Sequence, residues 1–380
     1  MILFFLTFFL LYSSIHLYIF LKVKSALSPG TLTTVFLICF MAVMIAAPVI
    51  VRISERHGFE LSARLISYIG YTWMGLVFLF FSFSLLFDLY HFSMYVSGLM
   101  LERDFSHLLP PPRITFVIPL LTTVAIASYG YFEARNIRNE TMIIKSPKIP
   151  KRVGTLTIAQ ISDVHLGLIV REERLKGILR EIERAEPDIL VSTGDLVDGQ
   201  IGSLTGLAEL LDAIKPKYGK FAITGNHEFY AGLDQALHFT EKAGFTVLRG
   251  EALNIAGIIN IAGIDDPTGK RFGLYKEVSE RALLSGLSRD KFTLLLKHMP
   301  VVDENTVGLF DLQLSGHTHK GQIFPFSLIT RLFFPHYAGL KELPNNSYLY
   351  VSRGSGTWGP PIRFLSPPEV TVFKLVHEDT

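Results

Sequence analysis

The sequence predicts two structural parts: an all-α N-terminal region of four transmembrane helices, and a C-terminal α/β domain with helices outside two packed sheets. Three observations predict this division. The mean hydropathy of the 380 residues is +0.36, which is high for a soluble enzyme. Long apolar runs dominate the chain up to about Phe132, and short β-branched runs alternate with helical patterns after Lys151. We therefore expect a transmembrane anchor at residues 1–132, a charged linker at 133–153 and a folded domain at 154–380.

The N-terminal region contains four apolar runs of the length that crosses a membrane, since a hydrocarbon core of about 30 Å requires about 20 helical residues. The runs are Ile2–Leu21, Thr31–Val51, Ile66–Leu89 and Ile114–Phe132. Only His16 is an ionisable residue well inside a run, which favours an anchor over a transport path. A removable signal peptide is the weaker interpretation of the first run, because no basic leader precedes it and no small-residue cleavage pattern follows.

The distribution of basic residues predicts the side of the membrane on which the C-terminal domain lies. With four spans, the N-terminus, the second loop and the C-terminal half share one side. That side carries Arg52, Arg56, Arg64, Arg135, Arg138, Lys145, Lys148, Lys151 and Arg152, whereas the other carries Lys22, Lys24, Arg103 and Arg113. Because Lys and Arg favour the cytoplasm, we expect a multi-pass protein of the cell inner membrane with a cytoplasmic C-terminal domain.

The C-terminal half alternates strand and helix patterns, followed by more closely spaced strands. We expect helices at Glu172–Ala185 and Ser203–Ile214. The expected strands are Thr155–Ile161, Ile189–Ser192, Lys220–Thr224, Thr246–Leu248, Ile258–Ala262, Thr293–Lys297, Leu312–Ser315, Tyr348–Ser352 and Val370–Leu375. The preceding linker is charged and contains Pro147 and Pro150.

Charge and cysteine content exclude several classes of protein. The formal net charge is +2 and the second half has no basic stripe, so we expect no nucleic-acid partner. The single cysteine, Cys39, rules out a disulfide framework or a cysteine metal site within one chain. No protein partner is implied, and the four apolar runs make a lipid bilayer an expected partner.

Polar side chains that bind metals follow five of the predicted strands. They are Asp163 and His165 in ISDVHLG, Asp195 in STGDLVD, Asn226 and His227 in TGNHEF, His298 in LKHMP, and His317 and His319 in SGHTHKG. The crevice beyond strand ends is where α/β sheets bind ligands, so these residues are expected to converge. Glycines beside them, Gly194, Gly225 and Gly316, are typical of tight turns that approach a ligand closely.

Oxygen and imidazole ligands without thiolates suit manganese, iron, zinc or a similar divalent ion. A shared carboxylate among seven candidates would give two sites. Two ions about 3.5–4 Å apart can activate water for in-line displacement at phosphorus. The pattern therefore predicts hydrolysis of a phosphate ester.

These five blocks, D-x-H, G-D-x-x-D, G-N-H-E, H-x-P and G-H-T-H, resemble the calcineurin-like metallophosphoesterase superfamily over about Thr155 to Leu375. The resemblance implies a four-layer α/β/β/α sandwich. It implies one ion held by Asp163, His165, Asp195 and His319, and a second held by Asp195, Asn226, His298 and His317. It also implies that His227 stabilises the transition state or protonates the leaving oxygen, while Asp198 is structural or supports the centre.

The stretches GIDDP, SGHTHKGQI and VSRGSGTWGPPIRFLSPPEVTVFKL resemble the membrane-associated branch that includes YkuE and YaeI. In that branch a glycine usually follows the second histidine, whereas this chain has Lys320, which leaves the substrate open. Lys320, Arg353 and Arg363 are candidate phosphate contacts, since a cationic side chain matches phosphate oxygens. The apolar segment Gln322–Phe334 either faces lipid, where it would pass an amphiphilic substrate to the metals, or belongs to the ordinary core.

We expect the partner to be a phosphorylated lipid or small-molecule substrate, and the reaction to be hydrolysis of a phosphodiester or pyrophosphate in a lipid or lipid precursor. UDP-2,3-diacylglucosamine is a specific case. A phosphomonoesterase or a nucleotide phosphodiesterase is the enzymatic alternative. A non-catalytic membrane scaffold is a further alternative, and a damaged ligand set would indicate it; the ligand set here is intact.

Overall fold

The structure is a computed structural model that describes residues 2–199, 204 and 206–378. The chain divides into two compact units. One comprises Met1–Tyr131 with Gly359–Ile362, and the other comprises Phe132–Trp358 with Arg363–Thr380. The predicted boundaries at 132 and 153 stay a prediction.

Four helices within the described residues are long and apolar enough to cross a membrane, which confirms the all-α N-terminal region. They are α1 (Ile2–Leu27), α2 (Thr31–Arg56), α3 (Glu60–Leu101) and α4 (Pro112–Glu133). With 42 residues, α3 is longer than its apolar run and extends about 63 Å, roughly twice the hydrocarbon thickness. The helix continues beyond the predicted run Ile66–Leu89 and ends at Leu101.

Aromatic side chains pack together within the helical unit, and the buried histidine His16 has hydrogen-bond partners there. His16 Nε2 accepts a hydrogen bond from Trp73 Nε1 at 2.9 Å, and Nδ1 lies 2.8 Å from the Tyr12 carbonyl oxygen. A Cβ atom on Gly70 would lie 2.7 Å from Ala47 Cβ, so this glycine lets α2 and α3 approach closely. These contacts agree with a packing role for His16 and Gly70.

The second unit is built on twelve strands within the described residues. They are β1 (Arg138–Ser146), β2 (Thr155–Ile161), β3 (Ile189–Ser192), β4 (Lys220–Ala222), β5 (Thr246–Val247), β6 (Glu251–Ile255), β7 (Ile259–Gly263), β8 (Phe292–Leu296), β9 (Leu312–Ser315), β10 (Gly339–Leu343), β11 (Ser347–Val351) and β12 (Glu369–His377). One sheet has the order β1-β12-β2-β3-β4-β5 and the other β10-β11-β9-β8-β7-β6. The helices are α5 (Glu172–Ala185), α6 (Leu207–Asp212), α7 (Asn226–Ala231), α8 (Leu233–Lys242), α9 (Gly269–Phe272), α10 (Glu280–Ser285) and α11 (Phe326–Phe333).

The core lies between the two sheets and explains their strand sequences. β2, β3 and β4 run parallel, as do β7, β8, β9 and β11, and parallel strands covered on both faces read as continuous apolar runs. Ile158, Val191 and Leu294 are fully buried members of one cluster shared by both sheets. On α5, Leu175, Ile178 and Ile182 form a buried stripe at helical spacing. The predicted α/β fold class is thus confirmed.

The segment expected to be a linker contains β1, which pairs in parallel with β12 from Arg138 opposite Glu369 to Ser146 opposite His377. The linker prediction is wrong there, because β1 is an edge strand in which only Ile144 and Ser146 are buried. Its exposed positions carry the polar side chains that suggested a linker. The helix expected at Ser203–Ile214 is α6, and Ser203 lies outside the described residues.

Candidate metal centre

The predicted metal ligands all follow the carboxyl ends of strands. Asp163 and His165 follow β2, Asp195 follows β3, and Asn226 follows β4 as the first residue of α7. His298 follows β8, and the pair His317 and His319 follows β9. Because neighbouring parallel strands end at the same edge of their sheet, residues far apart in sequence come together there.

The first cluster joins Asp163, His165 and His319, whose donor atoms lie within 4.8 Å of one another. His165 Nε2 is 3.0 Å from His319 Nε2, and His319 Nε2 is 3.4 Å from Asp163 Oδ1. All three side chains are buried.

The second cluster joins Asp195, His298 and His317, and Asn226 lies beside it. Asn226 Oδ1 is 3.0 Å from His317 Nδ1 and 3.3 Å from His298 Nε2. His298 Nε2 is 3.2 Å from Asp195 Oδ2 and 3.3 Å from His317 Nδ1.

Asp195 connects the two clusters. Its Oδ2 atom is 3.2 Å from His298 Nε2 in the second cluster and 3.8 Å from His165 Nε2 in the first. Only 2% of Asp195 is exposed. One buried carboxylate therefore faces imidazoles from both sides.

The donor atoms are suited to divalent ions. Atoms bound to one ion at 2.0–2.2 Å lie about 3.0–3.5 Å apart, which matches the separations within both clusters. Between His165 Nε2 and His319 Nε2, one nitrogen must offer a lone pair to the other's hydrogen, while a cation would satisfy both. The residues therefore fit the metal that the sequence pattern implies.

Burial and neighbouring charges shift the pKa values of the imidazoles in the centre. It lowers the pKa of His165 to about 3 and that of His317 to about 4, so both rings are neutral and offer lone pairs. Burial would also lower the pKa of His298, but the carboxylate of Asp195 raises it well above the usual range. A cation between His298 and Asp195 would replace the proton that they otherwise share.

The backbone around the centre is strained in a way that is typical of functional sites. Non-glycine residues with left-handed φ include Asp163 at 50°, Asp195 at 53° and His317 at 70°. A Cβ atom on Gly225 would overlap the carboxylate of Asp195, and one on Gly316 would overlap the Asp163 side chain. These two glycines allow the backbone to approach the carboxylates closely, as predicted.

His227 lies at the edge of the centre and is held by two aspartates. Its Nδ1 is 2.9 Å from Asp198 Oδ1, and its backbone N–H donates to Asp195 Oδ1 at 2.8 Å. Its ring packs edge-on against His165, with centroids 4.6 Å apart. Burial alone would lower the pKa of His227, but Asp195 and Asp198 raise it to about 9. Asp198 thus supports His227, as expected for a residue outside the ligand set.

The sequence analysis missed Glu228, which fixes the loop that carries Asp195. Its buried carboxylate accepts hydrogen bonds from the backbone N–H groups of Asp195 at 3.0 Å, Leu196 at 2.8 Å and Gly225 at 2.7 Å. Burial raises the pKa of Glu228 to about 7. A signal for Glu228 was present in the sequence: it directly follows His227 and is the acidic residue in the first turn of a short helix.

We expect Glu228→Ala to destabilise the domain by about 3 kcal/mol, because three buried N–H groups lose their acceptor. The midpoint of thermal unfolding measures this effect. Glu209→Ala, which removes an exposed partner of Lys242, is the matched control and should leave the midpoint nearly unchanged. An unchanged midpoint in Glu228→Ala would contradict the role given to this carboxylate.

Arg363 is not positioned for a phosphate contact, and that prediction is corrected. The side chain is 0% exposed, and its guanidinium donates to the carbonyl oxygens of Gly356 at 2.7 Å and Arg353 at 2.7 Å and to Ser366. It also lies 3.2 Å from His319 Nδ1. Arg363 therefore ties the loop between β11 and β12 to the centre.

Arg353 is likewise occupied by protein groups. Its guanidinium is paired with Glu140 on β1 at 2.5 Å and with Glu369 on β12 at 2.5 Å. These ion pairs replace the phosphate contact that the sequence suggested. Lys320, which is partly buried with φ at 52°, stays a predicted substrate contact.

Comparison with known proteins gives the family. The family model described as calcineurin-like phosphoesterase matches residues 156–321. A metallophosphoesterase of Aquifex aeolicus is 45% identical, with the match covering 67% of this chain and 98% of the relative. YkuE of Bacillus subtilis is 34% identical over 65% of this chain and 89% of its own length. The transmembrane protein with metallophosphoesterase domain of Danio rerio is 31% identical over 67% of this chain and 61% of its own length. The residues that converge on Asp195 and these relatives together show that the chain belongs to the calcineurin-like phosphoesterase family and is a membrane-associated, metal-dependent phosphoester hydrolase.

Proposed function

We propose that this protein hydrolyses a phosphodiester or pyrophosphate bond with two divalent ions. One ion would be held by Asp163, His165, Asp195 and His319, and the other by Asp195, Asn226, His298 and His317. The observation that carries this proposal is the position of the Asp195 carboxylate, which faces His165 in one cluster and His298 in the other. The hydrolysis experiment described in the Discussion tests it.

Bound divalent ions would activate the attacking water and neutralise charge on the phosphoryl oxygens. The chain's own contribution is to hold its ligands rigidly before substrate arrives. Asp163 accepts hydrogen bonds from the His317 N–H at 3.0 Å and from the Ser162 hydroxyl at 2.5 Å. The Asp195 carboxylate accepts from the His227 backbone N–H at 2.8 Å, and the Asp195 backbone N–H donates to Glu228 at 3.0 Å, so little reorganisation accompanies the reaction.

His227 is the proposed general acid. Its Nδ1 lies 2.9 Å from Asp198 Oδ1, and although burial lowers the pKa of His227, the carboxylates of Asp195 and Asp198 raise it and favour the protonated ring. A positioned imidazolium can give its proton to the leaving oxygen as the ester bond breaks. Asp198 would orient the ring and stabilise its charged form.

A lipid or lipid precursor is the proposed substrate, as in UDP-2,3-diacylglucosamine. Support comes from α11, which exposes 81% of Leu332 and 75% of Phe333. The next residue, Phe334, packs edge-on against His317, with ring centroids 5.3 Å apart. An exposed apolar helix beside a ligand of the centre is suited to contact the acyl region of an amphiphile. We define Leu332 and Phe333 as the lip.

The location of the protein in the cell is proposed from its apolar runs and its basic residues. We propose an anchor at residues 1–132 in the cell inner membrane and a catalytic domain at 154–380 on the cytoplasmic side. The excess of Lys and Arg near the helix ends on that side supports this orientation.

We expect the double change Leu332→Ser and Phe333→Ser to lower kcat/KM about tenfold for a phospholipid diester in mixed micelles. Removing two exposed apolar side chains weakens lipid contact by roughly 1.5 kcal/mol or more. Hydrolysis of bis(4-nitrophenyl) phosphate, a soluble diester, should stay within about twofold of wild type because neither side chain is a proposed metal ligand.

Phe334 is left intact in this test, since its contact with His317 would disturb the centre. The matched control is Leu253→Ala, which removes an exposed apolar side chain on β6 and should spare both substrates. Equal losses on the lipid and the soluble diester would contradict the lip.

A further inference from the structure

Three aromatic side chains on the catalytic domain are unusually exposed for their type. Tyr230 is 44% exposed, Phe272 is 41% exposed and Trp358 is 54% exposed. They come from α7, α9 and the loop between β11 and β12, which are distant in sequence. Large aromatic groups usually bury 150–250 Å², so exposed clusters of them mark binding surfaces.

Two of these rings flank His227. The Tyr230 and His227 ring centroids are 5.4 Å apart with an interplanar angle of 77°, and the Trp358 and His227 centroids are 5.9 Å apart at 73°. Phe272 packs against Tyr230 at 6.0 Å and continues the same surface. We call Tyr230, Phe272 and Trp358 the aromatic wall.

The aromatic wall is held in place by the fold. Trp358 is fixed through its backbone, whose N–H donates to Gln322 Oε1 at 2.9 Å and whose carbonyl accepts from Gln322 Nε2 at 2.9 Å. Tyr230 lies three residues after His227 on the short helix α7 and therefore keeps a fixed distance from it. Fixed rings lose little entropy when a ligand stacks on them.

We propose that the aromatic wall is a subsite for a leaving group that carries a flat ring, such as an aryl group or a nucleobase. This inference rests on the proposed function, in which His227 protonates the leaving oxygen. The leaving group must then lie next to His227, where Tyr230 and Trp358 offer ring faces or edges. Such stacking tolerates different rings because each has a π-face.

The aromatic wall and the lip lie beside different residues of the metal centre and would therefore contact different parts of the substrate. The lip is near His317, because the residue that follows it, Phe334, packs against that ring. The wall is near His227 and is aromatic. A ring on the leaving group would therefore be recognised separately from an acyl chain.

Isothermal titration calorimetry with phenylphosphonate and methylphosphonate tests the wall on the full-length, manganese-loaded protein. The two probes carry the same anionic group, differ in the ring and cannot be hydrolysed as esters. We expect wild type to bind phenylphosphonate about tenfold more tightly than methylphosphonate. Trp358→Leu and Tyr230→Leu should each reduce this preference to about threefold or less. Leu253→Ala, with thermal unfolding as a check on folding, should keep the wild-type preference.

Equal affinity of the two phosphonates for wild type, or an undiminished preference in both ring variants, would overturn the subsite. Hydrolysis of bis(4-nitrophenyl) phosphate by the same wild-type preparation separates this failure from a failure of the proposed function. Equal affinities with hydrolysis retained remove only the subsite. A ring preference without hydrolysis keeps the subsite and contradicts the proposed diesterase.

Discussion

Asp195→Asn should reduce kcat/KM for bis(4-nitrophenyl) phosphate by about 1,000-fold or more, because one carboxylate serves both clusters. The amide keeps the size of the side chain but removes the charge that faces His165 and His298. Its nitrogen would also point a hydrogen at one proposed ion. The measurement is the steady-state rate of detergent-purified protein with added manganese.

Asp212→Asn is the matched control, since Asp212 is a surface carboxylate paired with Lys215 at 2.6 Å. Its activity should equal that of wild type. Retention of more than a tenth of the activity in Asp195→Asn would show that Asp195 does not connect two ions.

His227→Gln should lower kcat by about 100- to 10,000-fold for diesters with an alkyl leaving group, since no group then protonates the leaving oxygen. The loss should be much smaller for 4-nitrophenolate, which is a weak base and leaves without a proton. A series of leaving groups with increasing pKa, compared between wild type and variant, measures this dependence.

The bound metal should be unchanged in His227→Gln, because the proposed ligand sets do not include His227. Leu253→Ala, which alters an exposed apolar side chain on β6, should retain the leaving-group dependence of wild type. An equal loss in His227→Gln for all leaving groups would remove the acid role and leave His227 a structural residue.

The sequence predicts that these polar side chains converge, because the signal for each of them is local. Each ligand lies directly after a strand whose apolar run is easy to recognise, and parallel strands bring such positions to one edge. Asp163 and Asp195 follow neighbouring strands of one sheet, whereas His298 follows a strand of the other sheet and lies 3.2 Å from Asp195. The four apolar helices are likewise recognisable from composition alone.

The sequence does not predict features that depend on distant partners. β1 carries polar side chains at most of its exposed positions, and only its pairing with β12, more than 200 residues later, makes it a strand. Arg363 resembles a surface cation until the carbonyl groups that surround it are known. Trp358 lies in a glycine- and proline-rich loop, and its place beside His227 depends on the side chain of Gln322.

Electron paramagnetic resonance of the manganese-loaded protein, combined with metal analysis, tests the central claim most directly. We expect two manganese ions per chain with an exchange-coupled spectrum, since ions that share a carboxylate lie about 3.5–4 Å apart. His298→Ala should abolish the coupling by removing a ligand of the second ion. A single uncoupled ion per chain in the active wild-type protein would contradict the two-metal account.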